Sequence, residues 1–535
     1  MPSSLRPASR LDRARILQLL VVAALTLAVR LPFLLHGERF FDSDEAVEGL
    51  MTRHLLHGEY PIYLWGQQYK GVPEVYLAGL FFAAAGPTVV ALKAATLACF
   101  MAFVCLQFAL VQRLSSARIA WLTTGFLIVG PPSLVLWTLS ANAEVVMTLL
   151  AGAVLGHGLE RWRRTGSLTA LTVAGVAIGF AFWVQQYIVY YLVSLGVVGF
   201  LALPEKRARA RAFLAAAAAP RWARVALHMI LAAATVYMLL GAVAFLTGGF
   251  DVSITGVPIG ARNPQKLWRI GAGFLLVYLV ARVIRLMATD HARQLRREVA
   301  AAGAGVLIGY LPALLALQGG GSAPMGRTDI QRLRAVSAAI AQEVVPIVLG
   351  FRSPTTEWLA VSGWFAVLIL LTGMVSYAAI RERRMTPYFH VFLIVTPLLF
   401  VFSGSYVDAQ SYRYLMPLYA AIPVVLAVGV DRVIQWQRVV GAVVLTGLIG
   451  MFAAQEAAWY RRLAPDTKSA AILACLRQSQ VRGLFADYWL SYKLTFLSGE
   501  AIIVAPSNGV DRYQPYRTFV QAQGTVEPCH SILVQ

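Results

Sequence analysis

Long apolar runs separated by short polar breaks make up most of the chain. The first covers 16–35, after a basic start with Arg6, Arg10, Arg13 and Arg15. Further runs lie near 89–111, 118–135, 138–158, 168–185, 187–203, 225–247, 267–286, 300–317, 357–379, 388–403, 412–430 and 438–457. Each approaches the roughly 20 residues needed to cross a hydrocarbon core about 30 Å thick. Together they predict about thirteen transmembrane helices. The first run ends in Arg30-Leu31-Pro32 with no small-residue cleavage site, so it reads as a retained helix rather than a secretory leader.

The breaks carry an orientation. With the N-terminus in the cytoplasm, the inward loops hold Arg113 and Arg118; Arg161, Arg163 and Arg164; Lys206, Arg207, Arg209, Arg211, Arg221 and Arg224; Arg293, Arg296 and Arg297; Arg381, Arg383 and Arg384; and Arg432 and Arg438. All are basic, as the positive-inside rule requires. The first loop, 36–88, and the C-terminal tail then face outward from a multi-pass cytoplasmic (inner) membrane protein.

Outside the spans, two segments stand out. The loop 318–357 opens with Gly319-Gly320-Gly321 and contains an amphipathic helical stretch, 328–345, which reads as a surface strut or as a lid hinged at the glycines. From 464 the composition changes. Helices are predicted over 469–478 and 489–497, and strands over 483–486, 501–505 and 531–534. The chain thus divides into a transmembrane domain, 1–463, and a small extracytoplasmic α/β domain, 464–535. The fold class is all-α polytopic membrane protein with that appendage. No internal repeat marks a transporter of inverted halves.

Composition narrows the classes further. Of the 535 residues 58% are hydrophobic and 13% charged, whereas a soluble domain carries about 25% charged residues. The net charge of +20 is accounted for by the basic inner loops. No aromatic-interleaved basic patch is present, so nucleic acid is not an expected partner. Cys99 and Cys105 lie inside a span, while Cys475 and Cys529 in the tail are either a disulfide or two free thiols.

The chemistry concentrates in 41–76. This stretch holds Asp42, Asp44, Glu45, Glu48, Glu59 and Glu74, although the chain has only 26 acids. Carboxylates at a membrane face are costly unless paired or used. Asp42-Ser43-Asp44 has the spacing of a divalent-cation ligand pair, Mg²⁺ or Mn²⁺. Asp44-Glu45 alternatively supplies a general base. The structural alternative is that Asp44 caps a helix over 45–56. Glu48, Glu59 and Glu74 read as solvated loop acids. Glu144, in an otherwise apolar run, is a functional candidate by position. Lys70 and Arg413, on the outward side, suit an anionic leaving group. Arg262, Lys266 and Arg269 suit anionic headgroups equally well. Tyr63, Trp65, Tyr69 and Tyr76 can stack on a sugar or form an interfacial belt.

Several of these motifs coincide with a known pattern: Asp44-Glu45-Ala46, Gly58-Glu59-Tyr60-Pro61, Tyr69-Lys70-Gly71-Val72-Pro73, Glu144 at the start of the fourth helix, and Arg413-Tyr414-Leu415-Met416-Pro417. In these the chain resembles the GT-C superfamily of polyprenyl-phosphate-sugar-dependent glycosyltransferases, and within it the bacterial aminoarabinose transferase and protein O-mannosyltransferase groups. The run from Asp487 to Phe496 is similar to the tail of other bacterial members. Two departures stand: Lys70 is followed by Gly71-Val72-Pro73 instead of Pro-Pro, and the second acid is Glu144 where Asp is common.

The resemblance implies a GT-C-like fold and transfer of a hexose or pentose from a polyprenyl-phosphate donor to a lipid, cell-wall glycan or protein acceptor at the outer face. Asp44, Glu45 and Glu144 are then the catalytic candidates. Lys70, Tyr69, Arg413 and Tyr412 are the donor and lipid-phosphate candidates. No cofactor is required; a divalent cation on Asp42 and Asp44 is the conditional exception. A multi-pass transporter or lipid flippase without transferase activity is the rival reading, and a non-catalytic scaffold the third.

Overall fold

The computed structural model describes residues 9–142, 144–201, 221–247, 250–254, 257–261, 264–287, 293–316, 330–355, 373–377, 380, 387–403 and 405–523. Within these, five helices are long and apolar enough to cross a membrane: Arg13–Leu35, Val89–Leu114, Val225–Thr247, Arg293–Leu315 and the Arg438–Gln478 stretch. A sixth forms if Ala409–Ala420 and Ile422–Trp436, bent by 52°, count as one span. The expectation of about thirteen is not reached by this measure. The runs at 118–135, 168–185, 187–203 and 388–403 fall on shorter apolar helices, and 357–379 lies mostly outside the described residues.

Two features show how the bundle is held. The Leu168–Val184 and Arg293–Leu315 helices meet backbone to backbone. A Cβ at Gly175 would lie 2.2 Å from Ala302 O, and one at Gly309 would lie 2.2 Å from Val176 O. Gly175-x-x-x-Gly179 and Gly305-x-x-x-Gly309 therefore clear a close crossing, where dispersion contacts rather than water exclusion drive association. Second, Arg30 is fully buried in the first span. It donates to Ile128 O at 2.7 Å and Leu127 O at 3.2 Å, and it lies 3.6 Å from Glu456. Those carbonyls end the Ala117–Ile128 helix and have no partner within it, so the guanidinium caps that helix end.

The first loop is folded, not extended. It holds the Ser43–Leu56 helix (the loop helix), a two-stranded antiparallel hairpin of Tyr63–Leu64 and Gln67–Gly71, and the Pro73–Ala85 helix. The hairpin turns at Gly66, whose φ of 67° favours glycine.

The tail carries a parallel pair, Gly483–Ala486 with Ile503–Pro506, joined through the Tyr488–Leu497 helix (the tail helix). The helix Gln514–Gln523 follows and was not expected from the sequence. Cys475 is disulfide-bonded; Cys529 and the strand expected at 531–534 lie outside the described residues. One apolar cluster unites loop and tail: Leu50, Met51 and Val75 pack with Tyr488, Tyr492 and Phe496. The tail is therefore seated on the first loop.

In the loop 318–357, residues 318–329 and 356–357 lie outside the described residues. The helix expected over 328–345 is present as Ile330–Ala339, a π-helical turn at Ile340–Val344, and Val345–Val348.

Candidate active site

The Asp42-Ser43-Asp44-Glu45 run separates into three jobs. Asp42, with extended backbone, is the N-cap: its Oδ1 accepts from Glu45 N at 2.9 Å. The alternative in which Asp44 is the cap does not hold, and the Asp44 side chain is left for other contacts. Burial, then the Glu45 and Asp44 carboxylates, push the Asp42 carboxyl up to about 7. Successive helical positions point about 100° apart, and Glu45 points away from the cavity. It is fully buried against Lys93 of the Val89–Leu114 helix, and its Oε2 also accepts from Ala141 N at 2.9 Å.

Asp44 faces a cavity of about 550 Å³. Lys70, Tyr69, Glu144 and Arg413 line the same space, as do Arg332, Arg512, Gln67, Tyr187 and Tyr414. Residues far apart in sequence meet there because the hairpin carries Lys70 to the N-terminal end of the Glu144–Thr165 helix. Lys70 forms an ion pair with Glu144, lies 3.5 Å from Glu48, and donates to Asn142 Oδ1 at 3.4 Å. Burial alone would lower the Lys70 ammonium, but Glu144 and Glu48 hold it above its ordinary value. It is therefore a charged lysine already matched to two carboxylates.

Arg413 sits in the tight helix Ala409–Ala420, which Asp408 starts with a reciprocal cap to Ser411. Its guanidinium lies 5.1 Å from the Tyr414 ring centroid, and its buried Nε has no hydrogen-bond partner among the described residues. Arg332, on the Ile330–Ala339 helix, donates to Tyr406 O at 2.9 Å.

Other candidates fall elsewhere. Tyr412 is fully buried with its hydroxyl accepting from Trp137 Nε1 at 2.8 Å, and it does not line the cavity. Neither do Asp42 and Glu45. Glu48 and Glu74 are buried rather than solvated: Glu48 lies beside Lys70, and Glu74 accepts from Thr96. Only Glu59 keeps substantial exposure, with a side chain 49% exposed. Among the described residues no group of three or more His, Cys, Asp or Glu is placed to hold a metal ion. Arg262 lies outside the described residues, and Lys266 and Arg269 do not line the cavity.

Four residues are not among the sequence candidates for the site: Lys93, Arg332, Tyr488 and Arg512. Lys93 had a readable signal, an ionisable residue inside an apolar run. Tyr488 falls inside the tail run Asp487 to Phe496 but has no role attached to it there, and Arg512 had no signal; both reach Asp44 across more than four hundred residues.

No family model matches the chain, and a search of curated proteins found no match. Among solved structures it is similar to ArnT from Cupriavidus metallidurans bound to undecaprenyl phosphate, with 12% identity, a TM-score of 0.46, and coverage of 96% of this chain and 89% of that one. It is also similar to the oligosaccharyltransferase of Archaeoglobus fulgidus in the apo form, with 13% identity, a TM-score of 0.47, and coverage of 95% and 68%. A third is AglB from Archaeoglobus fulgidus with an inhibitory peptide and a dolichol-phosphate, at 12% identity, a TM-score of 0.45, and coverage of 93% and 65%. The likeness is one of overall layout, and the functional reading rests on the side chains.

Proposed function

We propose that the chain is an integral-membrane glycosyltransferase. It moves a sugar from a polyprenyl-phosphate-linked donor to a hydroxyl of a lipid, cell-wall glycan or protein, at the outer face of the inner membrane. The acceptor oxygen bonds to the anomeric carbon. The bond from that carbon to the phosphate oxygen breaks, and its electron pair leaves with the polyprenyl phosphate. The acceptor's proton passes to Asp44, the general base, and the anomeric centre inverts.

The observation that carries this reading is one cavity lined both by Asp44 and by Arg413 and Arg332. A carboxylate takes a proton, while guanidiniums bind the charge that develops on a departing phosphate. Because Lys70 is already matched by Glu144 and Glu48, a phosphate in this cavity meets Arg413 first. Lys70 then acts mainly by orienting Glu144 toward sugar or acceptor, with Tyr69 beside it as a stacking surface. Glu45 acts from beneath the site.

The test is a vesicle assay of the purified chain with radiolabelled undecaprenyl-phosphate sugars and envelope acceptors. Transfer of label to the acceptor supports the reading; translocation of the donor without transfer, or neither event, contradicts it. Turnover is expected to persist in excess chelator. Its loss, and restoration by Mg²⁺ or Mn²⁺, would assign Asp44 to a metal.

A further inference from the structure

We propose that Tyr488 and Arg512, from the C-terminal tail, are positioning residues that hold Asp44 for proton transfer. The inference rests on the reading of Asp44 as the base.

Both tail side chains converge on one oxygen. The Tyr488 hydroxyl donates to Asp44 Oδ1, and Arg512 Nη2 lies 3.3 Å from the same atom. Arg512 Nε also donates to the Tyr488 hydroxyl at 3.0 Å. The proton positions follow from chemistry. A guanidinium only donates, so the phenol oxygen accepts from Arg512 and must send its own proton to Asp44. Asp44 Oδ1 is thereby an acceptor twice over, the role of an ionised carboxylate. Asp44 Oδ2 makes no hydrogen bond or ion pair among the described residues, while Asp44 lines the cavity. One oxygen is anchored and the other is left for the acceptor's proton.

The anchor is itself rigid. Arg512 N donates to the Tyr492 hydroxyl at 2.6 Å, and Tyr488 N donates to Asn508 Oδ1 at 3.0 Å. With its amide oxygen turned toward the guanidinium, Gln67 accepts from Arg512 Nη1 at 2.7 Å. The hairpin turn closes on the same residue: a Cβ at Gly66 would lie 3.2 Å from Arg512 Cα. Burial, then the Asp44 carboxylate, raises the Tyr488 phenol above its ordinary value, so it stays protonated and able to donate. A contact needed only for docking would require neither a shared oxygen nor a second support from the catalytic hairpin. The tail is thus a component of the site.

The test uses the full-length chain in vesicles, with Tyr488→Phe, Arg512→Ala, Arg512→Lys and the control Arg517→Ala. Arg517 pairs with Asp511 at 2.7 Å and stabilises the same segment without touching Asp44. Misplacement of a reacting group by about 1 Å costs on the order of 100-fold in rate. Expected results are a kcat loss of that order in Tyr488→Phe and Arg512→Ala, partial rescue in Arg512→Lys, an unchanged donor KM, and unchanged binding of undecaprenyl phosphate. Arg517→Ala should keep wild-type kcat. Retention of kcat in Tyr488→Phe, or an equal loss in Arg517→Ala, would overturn the inference while leaving the transferase reading standing. Absence of transfer by the wild-type chain from every donor would overturn both.

Discussion

Lys93 donates to both carboxylate oxygens of Glu45, at 2.8 Å from Oε1 and 2.5 Å from Oε2, with both residues fully buried. The pair joins the loop helix to a transmembrane helix. Through the bond from Ala141 N it also ties down the segment that carries Asn142 and Glu144. Removing one partner of a buried pair leaves an uncompensated charge and costs about 3–5 kcal/mol. Lys93→Met should therefore lower the unfolding midpoint in detergent sharply. The double variant Lys93→Met with Glu45→Gln should recover most of the loss. A single variant as stable as wild type would contradict a structural role for the pair.

Gly49 sits where the loop helix touches the tail helix. A Cβ there would lie 2.6 and 2.9 Å from two carbons of the Phe496 ring and 3.2 Å from Leu92. Overpacking of this kind costs about 1–3 kcal/mol, against a helix gain of about 0.5–1 kcal/mol on replacing Gly by Ala. The balance predicts that Gly49→Ala is destabilising and pushes the tail outward, lowering transfer as well. Protease resistance of the tail, compared with wild type, checks it. Unchanged resistance together with unchanged transfer would contradict the account.

A pH-sensitive clamp lies on the other side of the same interface. His54 sits 2.9 Å from both Glu59 and Glu500, and Arg53 is 3.0 Å from Glu500. Burial would raise Glu500, but hydrogen bonds from His54 and Tyr516, with the charges of His54 and Arg53, bring it down to about 2. Burial would lower His54, but Glu500 and Glu59 raise it above its ordinary 6.5. A depressed carboxyl contributes stability above its ordinary 4.5 that is lost as pH falls toward about 2. A raised histidine contributes stability that is full below 6.5 and lost as pH climbs through its folded value. Tail docking should therefore be tightest between about pH 4.5 and 6.5. Spin labels at the exposed Leu56 and Val510 should show the distance distribution broadening on either side of that window. In His54→Gln the alkaline broadening should disappear.

Much of the bundle was legible because lipid-facing and buried helices both require apolar runs. The tail strand at Gly483–Ala486 coincided with its expected range because a short β-rich run between two helical patterns has few other readings. The pairing of Lys70 with Glu144 was not legible: each was recognised as a candidate, but no local rule connects positions so far apart. Which aspartate caps the helix was not legible because Asp42 and Asp44 both suit an N-terminus, and only the backbone decides between them. Glu48 and Glu74 were read as solvated because a loop sequence hides the fact that the loop has a core of its own. The helix crossing at Gly175 and Gly305 had a readable small-residue spacing. Arg512 had no such signal, since its value depends wholly on where the tail docks.

The central claim is that Asp44 takes the proton. The most direct measurement is transfer from radiolabelled undecaprenyl-phosphate sugars by Asp44→Asn, in vesicles that hold the same amount of folded protein as wild type. Asn fills the same space and can still meet Arg512 and Tyr488, but it cannot act as a base. Loss of a positioned general base removes on the order of 10²–10⁴-fold in rate. The account predicts a kcat loss in that range with undecaprenyl phosphate still bound. Wild-type turnover in Asp44→Asn would contradict it.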